Sequence, residues 1–312
     1  MQKYPIPNLL NLCIICISTI TAITLLVLAS RSHSIWMMLL YAVVFSFINN
    51  TNFSLLHEAV HDILNKNSKI NYILGVFLAA LFPTGFSFQR YFHLGHHQRN
   101  RSYSEQFDYY RPEDSICIRY LQWYGILTGL YWVTAPLCTL LYLVMPSLIP
   151  KMINHSKQSH FANYTGLDEM LKSVDRAPSI RARGEILFTL LFQFSLFYFL
   201  GITWAGWLVC YGAFAINWSS LQYADHAWSK LNAIEGAWNL RVHPIVRTIY
   251  LDYHHHHAHH KNPKVSWIHL KNFIDNNEPR PWFYKIYIQM WKGPRPIKDH
   301  LMMYQKVIKE CC

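Results

Sequence analysis

Charge is scarce in this sequence. Asp, Glu, Lys and Arg together make up 14% of the 312 residues, whereas soluble domains average roughly 25%. Hydrophobic residues make up 52%. This composition argues against a soluble globular protein and predicts a chain that is embedded in a membrane.

The seven cysteines lack the spacing of a zinc-binding motif. Cys13 and Cys16 have the spacing of a redox pair, but they lie inside an apolar run, where two small apolar side chains are the simpler interpretation. The adjacent Cys311 and Cys312 are candidates for lipid attachment. We find no cleavable signal segment, internal repeat or separate soluble domain, and we treat residues 1–312 as one domain.

Long uncharged runs take the place of the missing charge. Several exceed the ~20 residues that a spanning helix needs, and they cover residues 4–30, 32–57, 70–89, 120–150 and 186–224. They predict an all-α fold, a polytopic membrane bundle with four to six spans plus a re-entrant or interfacial segment. Residues 261–312 contain no such run, and their mixture of Trp, Tyr, Lys and Arg predicts a cap on the membrane surface.

The net charge of +11 lies almost wholly outside the apolar runs. Basic residues close to span ends favour the cytoplasmic side. They also suit anionic lipid headgroups or an acidic protein partner. Because these residues flank apolar spans and do not form one stripe, we do not expect a nucleic-acid partner.

Histidine is abundant, with 18 residues. Eight of them form three boxes, which lie at residues 57–61 (His57, His61), 93–97 (His93, His96, His97) and 256–260 (His256, His259, His260). Residues at i, i+3 and i+4 share one face of a helix, so each box can direct two or three nitrogens at one point. Neutral imidazoles in a water-poor setting need a partner, and a metal ion is a suitable one.

A site shared by all three boxes constrains the topology. Residues 70–89 separate the first two boxes, so this run must turn back or lie in the interface. The runs 120–150 and 186–224 then each form a helical hairpin, bent near Pro136 and Gly201. This gives six crossings and places the boxes on the cytosolic face.

Each box alone has other interpretations. Glu58 makes the first box His-Glu-x-x-His, which is also the zinc-protease signature, and a polar helix end is equally plausible. The run of consecutive histidines in the third box resembles an expression tag, although this run is internal. Only His256, His259 and His260 repeat the spacing of the second box, so His254, His255 and His257 are expected to point elsewhere.

Several single residues could complete the site. His226 is a candidate ninth ligand, although an isolated interfacial histidine is more often a surface residue. Asp62, Asp225 and Asp252 each lie beside a box histidine, or within a few residues of one, and could accept its second ring proton. Asn50, seven residues before His57, could line a polar path or substrate cavity.

In this order and on this hydropathy profile, the three boxes resemble the integral-membrane fatty acid desaturase family and its hydroxylase relatives. The resemblance covers roughly residues 57–267. It implies two irons on the cytosolic face, O2 as co-substrate and removal of hydrogen from two adjacent carbons of a fatty acyl chain. It also implies that His226, with the polar Gln222 four positions earlier, joins the eight box histidines as metal ligands.

The resemblance leaves the reaction and the partners open. Nine imidazoles are too many for one ion and suit two metals with open positions, but imidazole also binds zinc, copper and nickel. Hydroxylation or ketone formation on an acyl, alkane, sterol or carotenoid substrate is the main rival to desaturation, and metal transport is a remote one. Electrons are expected from a separate ferredoxin or cytochrome b5.

Overall fold

The computed structural model describes residues 4–145, 147–157, 159–177 and 179–312. These residues are mostly helical, as the apolar runs predict. The α-helices are α1 (Asn8–Arg31), α2 (Ile35–Val60), α3 (Ser68–Leu81), α4 (Phe86–Arg99), α5 (Ile116–Leu127), α6 (Leu130–Val144), α7 (Leu148–Ser156), α8 (His160–Tyr164), α9 (Leu167–Asp175), α10 (Ser179–Leu200), α11 (Trp204–Ala224), α12 (Pro244–Ile249), α13 (His256–Lys261), α14 (Phe283–Met290) and α15 (His300–Cys311).

Helix α2 lies at the centre of the bundle and packs against α1, α3 and α11. Its second half is buried from Asn49 to Val60. The side chains there are largely polar, and some are hydrogen-bonded between helices, since Ser18 of α1 donates to Asn52 Oδ1 at 2.6 Å. Just before this stretch, Asn217 of α11 donates to Ser46 Oγ at 3.0 Å. Such interhelical hydrogen bonds hold a bundle together where no water can replace them.

The outer helices expose apolar side chains. Leu9 of α1 is 74% exposed and Phe199 of α10 is 75% exposed. Contiguous apolar surface of this kind is costly in water and is satisfied by lipid. In the described parts of the chain, three helices, α1, α2 and α10, are long and apolar enough to cross a membrane, and the number rises to five if each of two bent helix pairs is one span. The chain is therefore a membrane protein, and the predicted count of six crossings stays a prediction.

The first bent pair interrupts the run 70–89. Helices α3 and α4 meet at an angle of 96°, with a break at residues 82–85. Pro83 and Gly85 lie in this break, as expected from their poor fit to a continuous helix. The bend allows the segment to turn back between the first two boxes.

The predicted bend at Pro136 is wrong. Pro136 lies inside α6, and the 91° bend between α5 and α6 falls at Gly129, whose φ is +84°. A Cβ at this glycine would approach the backbone of α11 to 2.7 Å. Left-handed backbone and close helix packing therefore both require glycine here. The predicted bend near Gly201 is confirmed, since α10 ends at Leu200 and α11 begins at Trp204.

The polar side of the molecule is tied together by buried ion pairs and by the carboxyl-terminal region. The side chains of Arg101 and Asp108 are fully buried and pair at 2.9 Å. Two short parallel strands, β1 (Tyr109–Tyr110) and β2 (Arg295–Pro296), join this region to the carboxyl-terminal segment. The segment after the second box is therefore joined to the carboxyl-terminal segment.

Candidate metal centre

Five histidines form the first group, which is defined by His57, His61, His93, His97 and His259. One nitrogen of each ring lies within 4.8 Å of the others. The Nε2 atoms form a chain of close contacts, with 2.8 Å from His61 to His93, 3.0 Å from His93 to His97 and 3.0 Å from His97 to His259. Helix periodicity explains the contact between His93 and His97, which are one turn apart, and the same spacing places the ring of His57 4.9 Å from that of His61.

These distances suit nitrogens that share a metal. Two nitrogens bound to one ion at about 2.1 Å, at angles of about 90–110°, lie about 3.0–3.4 Å apart. Hydrogen bonding alone satisfies this row of Nε2 atoms poorly, since each Nε2 offers either one proton or one lone pair. His57 Nε2 is buried and has no hydrogen-bond partner among the described residues. A cation among the five rings would satisfy all these nitrogens at once.

Four histidines form the second group, which is defined by His96, His226, His256 and His260. Their nitrogens also lie within 4.8 Å of one another. His96 Nε2 is 3.2 Å from His226 Nε2, and His260 Nε2 is 3.2 Å from His256 Nε2. The two groups are adjacent, because the ring of His97 in the first group lies 4.3 Å from the ring of His260 in the second.

Hydrogen bonds to Nδ1, the ring nitrogen that does not face the group, orient the rings of His226 and His96. His226 Nδ1 is 2.8 Å from the carbonyl oxygen of Gly236, and a carbonyl can only accept, so Nδ1 carries the proton and Nε2 keeps its lone pair. His96 Nδ1 is 2.6 Å from Glu105 Oε2, which favours the same tautomer. Carboxylate and carbonyl partners of this kind are typical of metal-bound histidines.

Burial keeps the imidazoles of His226, His256 and His260 neutral. It lowers the pKa of His226 well below its usual range, and the neighbouring His96 ring lowers it further. Burial is also the main cause that lowers the pKa values of His256 and His260, again with help from nearby imidazoles. A neutral ring is the form that can donate a lone pair to a metal ion.

Of the three aspartates predicted to accept a proton from a box histidine, only Asp225 lies beside one of the two histidine groups. Asp225 lies beside the second group, with Oδ2 3.5 Å from His256 Nδ1. The prediction for Asp62 is wrong, because its carboxylate forms a two-pronged ion pair with Arg90 at 2.6 Å. Asp62 is partly exposed, and a guanidinium is a better partner for an exposed carboxylate than a buried ring.

Asp252 also departs from its predicted partner. It pairs with Arg247 at 2.6 Å and lies 3.5 Å from His255 Nε2, so its histidine neighbour is not one of the nine. His254 and His255 form a separate group with Asp252, and His257 contacts Glu278 at 2.9 Å. The expectation that these three histidines point elsewhere is confirmed.

Gln222 and Asn50, which are also predicted near the site, form hydrogen bonds to neighbours within the bundle. Gln222 Oε1 accepts from the Tyr253 hydroxyl at 2.9 Å, and the Tyr253 ring lies 5.0 Å from that of His57. Gln222 thus reaches the groups through Tyr253. Asn50 donates to the Ser46 carbonyl one turn earlier at 2.8 Å, and its role in a substrate cavity stays a prediction.

The first box does not have the arrangement of a zinc protease. In that signature the glutamate acts as a base beside the metal-bound water. Glu58 Oε2 instead accepts from Ser266 Oγ at 2.7 Å and from the Trp267 backbone at 3.1 Å. Glu58 therefore fastens the carboxyl-terminal region to the end of α2.

The contacts of Glu105 with His96 and of the Gly236 carbonyl with His226 are not predicted from the sequence. Glu105 ends a single 3-10 turn (Tyr103–Glu105) after the second box. It lies nine residues from the ring that it contacts, and no helical spacing indicates it. The Gly236 carbonyl is a backbone group, so the sequence carries no signal for it. Both contacts depend on how loops return to the ends of α4 and α11.

Comparison with known proteins identifies the family. No curated protein matches the chain. A sequence profile described as fatty acid desaturase matches residues 34–280, a range that contains all nine histidines of the two groups. The chain therefore belongs to the fatty acid desaturase family, whose histidine-box members are membrane-bound oxidoreductases of the desaturase and hydroxylase type.

Proposed function

We propose that this protein is an O2-dependent desaturase that introduces a double bond into a fatty acyl chain, with two irons held by the nine histidines. The observation that carries the proposal is the division of these histidines into two adjacent groups. Five nitrogens in one group and four in the other leave open positions at a pair of six-coordinate metals. When bound, two irons would supply an oxidant strong enough to attack unactivated C–H bonds, which no side chain can do unaided.

The chain's own residues hold and orient the site. Helices α2 and α4 each supply ligands one turn apart, so the rings are positioned by rigid elements. Glu105 and the Gly236 carbonyl hold His96 and His226 with their Nε2 atoms turned inward. Burial of the rings excludes water, which protects an oxidising site from side reactions.

The proposal places the two groups on the cytosolic face. Basic residues close to the helix ends near the boxes, among them Arg90, Lys261 and Lys264, support this orientation. A basic surface would also suit an acidic electron donor of the ferredoxin or cytochrome b5 type. Mixing the purified protein with each donor and measuring the rate of substrate oxidation would identify the partner.

Product analysis tests the reaction. Cells that express the protein are compared with cells that express His96→Ala, and the extracted acyl chains are examined by mass spectrometry. Desaturation removes two hydrogens from the chain, whereas hydroxylation adds one oxygen. We expect the product to lack two hydrogens and to vanish with His96→Ala.

The exposed His155 offers a matched control, because it lies on α7 outside both groups. His155→Ala should retain activity. Hydroxylated acyl chains would overturn the desaturase assignment in favour of a hydroxylase. Purified protein with bound zinc and no iron would overturn the diiron proposal itself.

A further inference from the structure

A cavity lies outside the histidine groups. It has a volume of about 640 Å³ and is bounded by α3, the start of α4 and the start of α10. Its lining contains both polar and apolar residues, and none of the lining residues among those described is a histidine. The lining includes Ser68, Lys69, Tyr72, Ile73, Arg90 and Arg181.

Three cations line this cavity, and two of them have no anionic partner among the described residues. Arg90 is neutralised by Asp62, to which it donates at 2.6 Å. Arg181 lies over the Tyr72 ring at 5.2 Å, and an uncharged ring does not neutralise its charge. Neither Arg181 nor Lys69 forms an ion pair with any carboxylate in the described parts of the chain.

Two carboxylates lie at this cavity in the described parts of the chain, and besides Asp62, which pairs with Arg90, Glu185 is also engaged. Glu185 is buried, and Oε1 accepts from the Tyr72 hydroxyl at 2.8 Å and from Ser87 Oγ at 2.9 Å. Oε2 accepts from the Ser87 backbone at 2.7 Å. Glu185 therefore holds Tyr72 in place below Arg181, and the two free cations face the cavity without a counter-ion from the described chain.

The cavity lies at the border between charged and apolar surface. Arg181 is in the first turn of α10, a candidate membrane span, and Leu187 and Leu191 farther along this helix are 53% and 59% exposed. Ile73, which lines the cavity, is 63% exposed. A ligand held here would have its charged part beside the cations and its apolar part against the lipid-facing helices.

We infer that this cavity binds the phosphate of a membrane phospholipid. Lys69 and Arg181 contact the phosphate oxygens, and the acyl chains lie along the apolar surface of α3 and α10. A phosphate diester supplies the missing negative charge, since both cations are suited to phosphate. The position at the apolar border favours a lipid over free phosphate. The inference does not depend on the oxidation chemistry of the histidine groups.

Native mass spectrometry of the detergent-purified protein tests the inference. Dioleoyl phosphatidylglycerol is titrated onto the wild type, onto a K69Q/R181Q variant and onto a K66Q/R183Q control. The control removes two exposed basic residues from the same neighbourhood that do not line the cavity. We expect lipid binding to weaken roughly tenfold or more in K69Q/R181Q and to be unchanged in the control.

The comparison ligands separate the possible sources of binding. Dioleoylglycerol has the same chains without phosphate, and inorganic phosphate has no chains, so both should bind far more weakly than the phospholipid. Equal binding of dioleoylglycerol would show that apolar contact suffices and would overturn the inference. Inorganic phosphate that displaces the lipid at equal concentration would overturn the assignment to a membrane lipid. Equal losses in both double variants, or no loss in either, would also overturn it.

A second pair of variants covers the case in which K69Q/R181Q fails to fold. Ser68 is exposed and is the first residue of α3, where an acidic side chain stabilises a helix. Ser68→Glu places a carboxylate in the cavity and should abolish phospholipid binding. Ser68→Gln has nearly the same size without the charge and should retain it, and equal binding by the two variants would contradict a phosphate site.

Discussion

Glu105 provides the sharpest test of the second histidine group. Its Oε2 atom is 2.6 Å from His96 Nδ1, and its Oε1 atom is 3.2 Å from Arg99. Glu105→Gln keeps the shape and one acceptor oxygen but removes the negative charge. Arg99 keeps a second carboxylate partner, Glu169, at 3.3 Å, so the substitution does not leave this arginine without an anionic partner. The effect should therefore be limited to His96.

The expected magnitude follows from the position of this carboxylate. Outer partners of metal-bound histidines typically change metal affinity or activity by about 10–100-fold, which corresponds to about 1.4–2.8 kcal/mol. Glu105 is only 13% exposed, so solvent screens its charge little. Because His96 belongs to the second group alone, we expect iron affinity to fall at that group and to be kept at the first.

The assay is iron content per chain after dialysis against increasing chelator. Relative to the wild type, Glu105→Gln should release the iron of the second group at a chelator concentration about 10–100-fold lower and the iron of the first group at an unchanged concentration. Glu113→Gln is the matched control, since Glu113 is an exposed residue of the loop before α5. Release of both irons together by Glu105→Gln, with an unchanged unfolding midpoint, would refute the assignment of Glu105 to one group.

Three further substitutions test the site and its support. His226→Ala removes one nitrogen of the second group, so the purified variant should hold one iron per chain, and two retained irons would contradict its role as a ligand. Gly129→Ala should lower the thermal unfolding midpoint through a loss of about 1–3 kcal/mol, because φ is +84° and the added Cβ would meet α11 at 2.7 Å. Gly212→Ala, whose Cβ would meet nothing within 4 Å, is the control, and equal midpoints would refute the close approach. Asp108→Asn leaves the buried Arg101 charge unpaired and should cost roughly 3–5 kcal/mol, so an unchanged midpoint would show that this pair contributes little.

The helical membrane fold and the family can be predicted from the sequence because their signals are local and redundant. Scarce charge and long apolar runs indicate spanning helices wherever they occur. The three histidine boxes repeat a helical spacing, so each box places its rings on one face whatever the rest of the fold does. Their joint occurrence is specific enough to indicate the family from the sequence alone.

The wrong predictions concern residues whose partners are distant in the chain. Asp62 pairs with Arg90 and not with a histidine, and nothing in the residues next to Asp62 indicates that α4 brings an arginine there. The helix bend falls at Gly129 and not at Pro136, because α11 approaches Gly129 too closely for a Cβ. Proline is a visible local signal, whereas the need for a glycine arises from packing.

Hydropathy and histidine spacing are properties of neighbouring residues, so the amino-acid sequence is enough to identify a helical membrane protein of the desaturase family. It also indicates which histidines belong together as a set. The division of that set into two groups depends on how separate helices pack. Because of this packing, His93 and His96 of one box belong to different groups, and one group has five rings and the other four. The same holds for Glu105 and for the cavity lined by Lys69 and Arg181, because their neighbours meet only when those helices pack.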